Sequence, residues 1–187
     1  MNKYGYRFSF GPWNISTGAD PFGPPVRPAL EFDAKLPVYK ELGFDAVQFH
    51  DDDAVPDLDS LTPAQIRQAA QAMRRKLDDH GLVAEFVAPR LWESPRTIDG
   101  AFTSNDPADR AYALDRARKA VDIAREVGAD LIVLWLAREG TYVREAKDVN
   151  RATHQLLDAI NALLAYDSTI RIAIEPKPNE PMDLAYI

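Results

Sequence analysis

The stretch Val127-Gly128-Ala129-Asp130-Leu131-Ile132-Val133-Leu134-Trp135 decides the fold: a helix-like run stops on Gly, and a short apolar, β-branched run begins three residues later. Gly just past a helix takes the left-handed conformation without a Cβ penalty, so it marks a stop. The same order recurs at Leu42-Gly43 before Ala46-Val47-Gln48-Phe49, and at His80-Gly81 before Val83-Ala84-Glu85-Phe86-Val87. Three such units read as αβ, αβ, αβ.

Helix starts agree with these stops. Thr62-Pro63-Ala64-Gln65 is a capping box with Pro in the first turn, and Asp106-Pro107 repeats the cap-then-Pro order. Apolar positions then recur every three or four residues: Ile66, Ala69, Ala70, Met73 and Leu77 in one helix, Leu114, Ala117, Val121 and Ala124 in the next. Leu156, Leu157, Ile160 and Leu163 predict a further helix over 149–164, and a strand follows over 170–174. The first strand is expected over 6–10 and the first helix over 32–42, where Pro37 implies a kink or a late start. Five strands alternating with four helices imply an α/β fold with a parallel sheet, because each crossover needs a dozen residues or more. One domain over 1–187 is expected, and the connections 88–105 and 137–148 read as functional loops rather than linkers.

The formal charge is −7, from 22 basic and 29 acidic residues, so the overall field repels phosphate backbones and anionic lipid. Nucleic acid and membrane are therefore excluded as expected partners. Absence of Cys removes disulfides and thiolate-bound metals. The longest apolar run, 131–137, is far short of a membrane span, and Met1-Asn2-Lys3-Tyr4 lacks the basic-then-apolar order of a signal peptide. A cytoplasmic location is the expectation.

In parallel βα folds the site forms at the C-terminal strand ends, and those positions carry most of the chemistry here. They hold Trp13 and Phe22 after strand 1, His50-Asp51-Asp52-Asp53 after strand 2, Trp92 after strand 3, Trp135 at the end of strand 4, and Glu175-Pro176-Lys177 after strand 5. Aromatic walls with one His, a few carboxylates and a Lys suit a neutral polyhydroxylated ligand, whose CH faces pack on rings while its hydroxyls meet charged partners. His50 reads either as a satisfied core histidine or, ending an apolar strand before three Asp, as an imidazole that this setting orients; for each Trp alone, core packing is the plain alternative. Asp51 and Asp52 also read as a solvated turn. Glu175 and Lys177, two apart in extended backbone stiffened by Pro176 and Pro178, point the same way; an exposed ion pair at a strand exit is the plain alternative. His80 reads as a cation at a helix C-terminus and His154 as a structural or solvent-facing helical residue.

Phe49-His50-Asp51-Asp52-Asp53, Trp135 with Arg138-Glu139-Gly140, Gly100-Ala101-Phe102-Thr103-Ser104-Asn105-Asp106, Ala146-Lys147-Asp148-Val149 and Ile174-Glu175-Pro176-Lys177-Pro178-Asn179-Glu180-Pro181 together resemble the shorter bacterial class of xylose (glucose) isomerases, in family order. The resemblance is to the N-terminal half. It implies a partial TIM (β/α) barrel and an aldose–ketose isomerase, with D-xylose/D-xylulose first and D-glucose/D-fructose second. The implied chemistry is a hydride shift after ring opening, assisted by divalent cations, Mg²⁺, Mn²⁺ or Co²⁺. By matching motif, His50 assists ring opening with Asp53 holding its tautomer, Lys177 hydrogen-bonds the carbonyl oxygen, and Glu175 ligates the metal. Trp13, Trp92 and Trp135 wall the sugar, and Phe22 reaches into a neighbouring subunit's site.

There are departures. Trp92 stands where the family has Phe, Ala88 and Arg90 replace small hydroxyl and amide residues, and Leu136-Ala137 replaces a Gly pair. Of the family's metal ligands only Glu175 is matched, leaving the others to a partner subunit or to Glu139, Asp51 or Glu180. Five strands leave sheet edges and a face open, which predicts a homo-oligomer, most simply a two-fold dimer. The alternative reading is a half-barrel that binds sugar or metal, or only keeps the fold, without turnover.

Overall fold

The computed structural model describes residues 5–19, 24–141, 143–176 and 185–186. Strand β1 (Ser9–Phe10) leads through a 3-10 turn (Pro12–Asn14) to α1 (Phe32–Glu41), β2 (Ala46–His50) and a one-turn helix α2 (Asp51–Ala54). Then follow α3 (Pro63–Asp79), β3 (Val83–Ala88), α4 (Pro107–Val127), β4 (Leu131–Trp135), β5 (Gly140–Thr141), α5 (Val149–Tyr166), β6 (Arg171–Glu175) and β7 (Ala185–Tyr186). The main sheet runs β1-β2-β3-β4-β6, parallel throughout, while β5 and β7 form a separate antiparallel pair. This is the parallel α/β sheet that the alternation of helix stops and apolar runs predicts, and it agrees with the partial barrel that the resemblance implies.

The caps behave as the sequence requires. Thr62 and Gln65 bond reciprocally at the start of α3, Asp106 accepts from the Ala108 N–H at 2.8 Å, and α4 ends on Gly128 at φ 89°. Period two then sorts the strands: Val47, Phe49, Val87, Ile132 and Leu134 join the buried cluster with Ile66, Ala70 and Leu77 of α3 and Ala117, Val121 and Ala124 of α4. Register brings the strand tips level, His50 pairing with Ala88 and Trp135 with Glu175. No described helix is long and apolar enough to cross a membrane.

Three details differ from the sequence reading. Only two residues of the expected strand 6–10 pair with β2. Helix α1 starts at Phe32 and continues through Pro37, whose ring falls inside a helix fixed by the fully buried Leu36 and Tyr39. Packing here outweighs the local cost of Pro. Helix α2 is an addition: His50 is its N-cap, and the Asp53 carboxylate accepts from the His50 backbone N–H in a capping box.

A candidate functional site at the strand ends

A cavity of about 300 Å³ opens at the C-terminal ends of the sheet, walled by Trp13, His50, Trp92 and Trp135, with Phe86 and Ala88 beneath, and Arg90 and Glu175 at its sides. The rings form a continuous series. Trp13 stacks on His50 with centroids 4.2 Å apart and planes 26° apart; Trp92 meets His50 edge-on at 5.0 Å and Trp135 edge-on at 4.6 Å. The structure thus brings together His50, the three Trp and Glu175, while Phe22 and Lys177 lie outside the described residues.

Each wall is anchored locally. A Cβ on Gly11 would lie 2.3 Å from the Trp13 ring, so the backbone passes under the indole only because that position is Gly. Lys35 of α1 donates to the Pro12 carbonyl at 2.9 Å, tying the Trp13 turn to the helix layer. Arg138 donates to the Trp92 carbonyl at 3.0 Å.

Beside the cavity, behind His50 and Arg90 of its lining, lies the Asp51–Asp53 run, clamped by two arginines that sequence reading left without a role. Arg90 donates through Nε to Asp52 at 2.7 Å and through Nη2 to Asp53 at 3.3 Å, and its Nη2 also lies 2.8 Å from His50 Nδ1. Asp53 Oδ2 is 3.0 Å from the same Nδ1. Burial pulls the Asp53 carboxyl upward, but its contacts with His50, the backbone N–H among them, and the Arg90 charge outweigh it and hold the group below its ordinary value. On the core side Arg116 donates to both oxygens of Asp51 at 2.8 and 3.0 Å, to Asp52 at 3.3 Å and to Asp59 at 2.9 Å. Asp51 is wholly buried, so the solvated-turn reading fails for it. Burial pushes its carboxyl up against the opposing pull of Arg116. Burial alone would lower Arg116, but the surrounding carboxylates outweigh it and hold the guanidinium above its ordinary value and charged. A signal for Arg116 was present: it lies three residues after Ala113 and four before Ala120, on the stripe α4 buries.

Two carboxylates proposed as spare metal ligands are engaged elsewhere. Asp51 belongs to Arg116. Glu139, buried, accepts from the N–H groups of Phe102 and Thr103 at 2.9 and 3.1 Å and from the Thr103 hydroxyl, and buried Lys147 donates to the Asp99 and Thr103 carbonyls at 2.7 and 2.6 Å. The pair pins the loop between β3 and α4. Glu180 lies outside the described residues. His80 caps α3 with Nδ1 2.8 Å from the Lys76 carbonyl, and His154 makes the equivalent contact to Asn150 at 2.7 Å, so both stay with their helices.

The donor set bears directly on a divalent cation. Among the described residues, His50, Asp52 and Asp53 place ligand atoms within 4.8 Å of one another. The Arg90 guanidinium already sits against all three, a fixed positive charge where an ion would go. Glu175 is the one carboxylate lining the cavity among those residues, against the six oxygens Mg²⁺ asks for. The described residues alone do not fit a divalent cation.

Known proteins place this architecture. The xylose isomerase of Thermus thermophilus is 38% identical over 187 residues, covering 94% of this chain and 46% of that protein. That of Thermus caldophilus is 37% identical over 186 residues with the same coverage. The chain therefore spans about half the length of the curated relatives it matches. Among solved structures, a Sinorhizobium meliloti 1021 protein superposes with a TM-score of 0.60 at 22% identity, over 95% of this chain and 53% of that one. D-psicose 3-epimerase in the presence of D-fructose gives 0.59 at 14% identity, over 90% and 52%. At such identities the likeness is one of fold. The family profile described as Xylose isomerase-like TIM barrel matches residues 36–186, and the chain belongs to that family.

Proposed function

We propose that the cavity binds an open-chain or ring-opening aldose or ketose and belongs to an aldose–ketose isomerase, D-xylose/D-xylulose being the first pair to test and D-glucose/D-fructose the second. The observation that carries this reading is the single hollow holding His50, Trp13, Trp92, Trp135 and Glu175. Indoles pack the CH faces of a sugar and exclude water, while the imidazole and carboxylate meet its hydroxyls. In this reading His50, oriented by its charged neighbours, assists ring opening. Lys177 hydrogen-bonds the carbonyl oxygen, and Phe22 closes the site of a neighbouring copy in a homo-oligomer. A divalent cation, Mg²⁺, Mn²⁺ or Co²⁺, takes Glu175 as one ligand and draws the rest from beyond the described residues; bound there, it would polarise sugar oxygens. Location in the cytoplasm is part of the same proposal.

The test is conversion of D-xylose to D-xylulose with each cation, repeated on Lys177→Ala and Glu175→Gln. Both variants are expected to lose at least about 100-fold in kcat/KM, the scale on which single catalytic groups act. Activity that survives both changes overturns the assignment. The thin donor set favours one second reading, sugar binding without turnover. Quenching of Trp fluorescence by xylose in a protein that yields no xylulose would establish it.

A further inference from the structure

We infer that Arg90 is a positioning residue that sets the tautomer of His50, making the ring nitrogen left to the cavity, Nε2, a hydrogen-bond donor. The inference rests on the sugar-site reading only for its use; the geometry stands without it. Two partners converge on one nitrogen: Arg90 Nη2 at 2.8 Å and Asp53 Oδ2 at 3.0 Å from Nδ1. A neutral imidazole offers either a hydrogen or a lone pair at Nδ1, not both.

The two choices are not equal. Arg90 Nη2 carries two hydrogens in a fixed plane and cannot lose either. One is directed at Nδ1 and the other at Asp53 Oδ1, 3.3 Å away. A hydrogen on Nδ1 would face the first of these across a 2.8 Å gap between nitrogens, far inside van der Waals contact. A lone pair on Nδ1 instead accepts a charge-assisted bond. It leaves Nδ1 and Asp53 Oδ2 as two acceptors 3.0 Å apart, an approach offset by the guanidinium, which donates to Nδ1 and to the other oxygen of the same carboxylate. Asp53 Oδ2 does not need the ring, because the His50 backbone N–H donates to it at 3.1 Å.

Asp52 and Glu93 hold the guanidinium in place through Nε at 2.7 Å and Nη1 at 3.1 Å, so its plane is set by residues other than His50. Trp13 stacked on the imidazole at 4.2 Å and Trp92 edge-on at 5.0 Å fix the plane of the ring. With Nδ1 engaged, His50 meets a ligand as a donor through Nε2–H. It thereby selects for an acceptor such as a sugar ring oxygen or a carbonyl. The tautomer supported by Asp53 alone would present the opposite, a basic nitrogen seeking a hydroxyl hydrogen.

The experiment is long-range ¹H–¹⁵N correlation on the full chain labelled at histidine, at about pH 8 where imidazole is mostly neutral. His50 signals are assigned by their absence in His50→Gln. The wild-type chain is expected to show hydrogen on Nε2 in at least about ten-fold excess, the scale set by a hydrogen bond from a charged donor. Arg90→Met is expected to move that hydrogen to Nδ1, now paired with Asp53, whereas Asp53→Asn leaves the wild-type pattern in place. Hydrogen on Nδ1 in the wild-type chain overturns the inference, as does a pattern that follows Asp53→Asn and ignores Arg90→Met. The wild-type spectrum decides even if a variant does not fold. Because no turnover is read, the outcome is separate from that of the isomerase assay.

Discussion

Two arginines grip the same acidic run from opposite sides, and the surroundings make them different devices. Arg116 has a side chain 9% exposed and meets Asp51 at 0%, inside the packed layer between α2 and α4. Arg90 is 18% exposed and meets Asp52 at 31% and Asp53 at 22%, at the wall of the cavity. The buried pair cannot trade its partner for water, so its charges are a structural commitment. The cavity pair borders the cavity and solvent, so its charges remain available to the His50 ring and to a bound molecule. Burial, more than the type or number of ion pairs, separates scaffold from site here.

Removing the core-side cation gives the largest expected effect. Arg116→Ala leaves the buried Asp51 carboxylate without its counter-charge, held only by the Asp52 and Arg90 backbone N–H groups, which costs about 3–5 kcal/mol, a large part of the stability of an ordinary domain. Urea unfolding followed by far-UV circular dichroism measures it. A loss below about 1 kcal/mol would break the comparison, since it would mean that burial does not separate the two clusters.

Asp52 is shared, its Oδ1 accepting from Arg90 at 2.7 Å and its Oδ2 from Arg116 at 3.3 Å. Asp52→Asn keeps the shape but leaves one acceptor oxygen for two guanidinium groups and turns an amide NH₂ toward the other, for an intermediate loss of about 2 kcal/mol. Arg90→Met comes next, at about 1 kcal/mol or less, because partly solvated ion pairs contribute little to stability. On the proposed function, the sharper result is the contrast in xylose affinity, read from Trp fluorescence. Arg90→Met should weaken it several-fold, while Asp52→Asn should change it less than it changes the unfolding midpoint.

The same contrast explains what was legible in the sequence. Helix stops followed by apolar runs marked the three central strands, and helical periodicity the layers that cover them, because burying one face of an element is a local pattern written at fixed spacing. The tips then followed from topology, and His50, Trp13, Trp92, Trp135 and Glu175 do meet in one cavity. Arg90 and Arg116 were not legible as a clamp, because they reach the acidic run from 38 and 65 positions away and only the tertiary fold brings them together. Asp51 misled for the same reason: three consecutive Asp look solvated until a distant guanidinium explains the burial of the first. The one-turn helix α2 was too short for periodicity to register, although its capping box was in view at His50 and Asp53.

The smallest effect tests whether the two sides communicate, through Tyr39. Its side chain is fully buried against Phe10 and Phe44, and among the described residues its hydroxyl has no hydrogen-bond partner. Burial, and then the Asp53 charge, push its pKa up to about 12. Unfolded tyrosine ionises near ~10, so as pH rises from about 10 to 12 the unfolded chain sheds its proton first and folding stability falls. Asp53 works in the opposite sense: its folded pKa lies below the unfolded value of about 3.9, so its contribution is present above that pH and is lost as pH falls through the folded pKa. Tyr39→Phe should be nearly neutral or stabilising by no more than about 1 kcal/mol at pH 7, since it removes a buried hydroxyl with no partner. It should also flatten the alkaline decline while leaving the acid limb unchanged. Arg90→Met should act on both limbs, shrinking the acid decline because Asp53 loses a cation that helps depress its folded pKa, and deepening the Tyr39 step because the uncompensated Asp53 charge favours the neutral phenol more strongly. Urea midpoints between about pH 3 and 12 on the three proteins check both limbs; a Tyr39 step that ignores Arg90→Met would confine the cavity charges to their own side of the sheet.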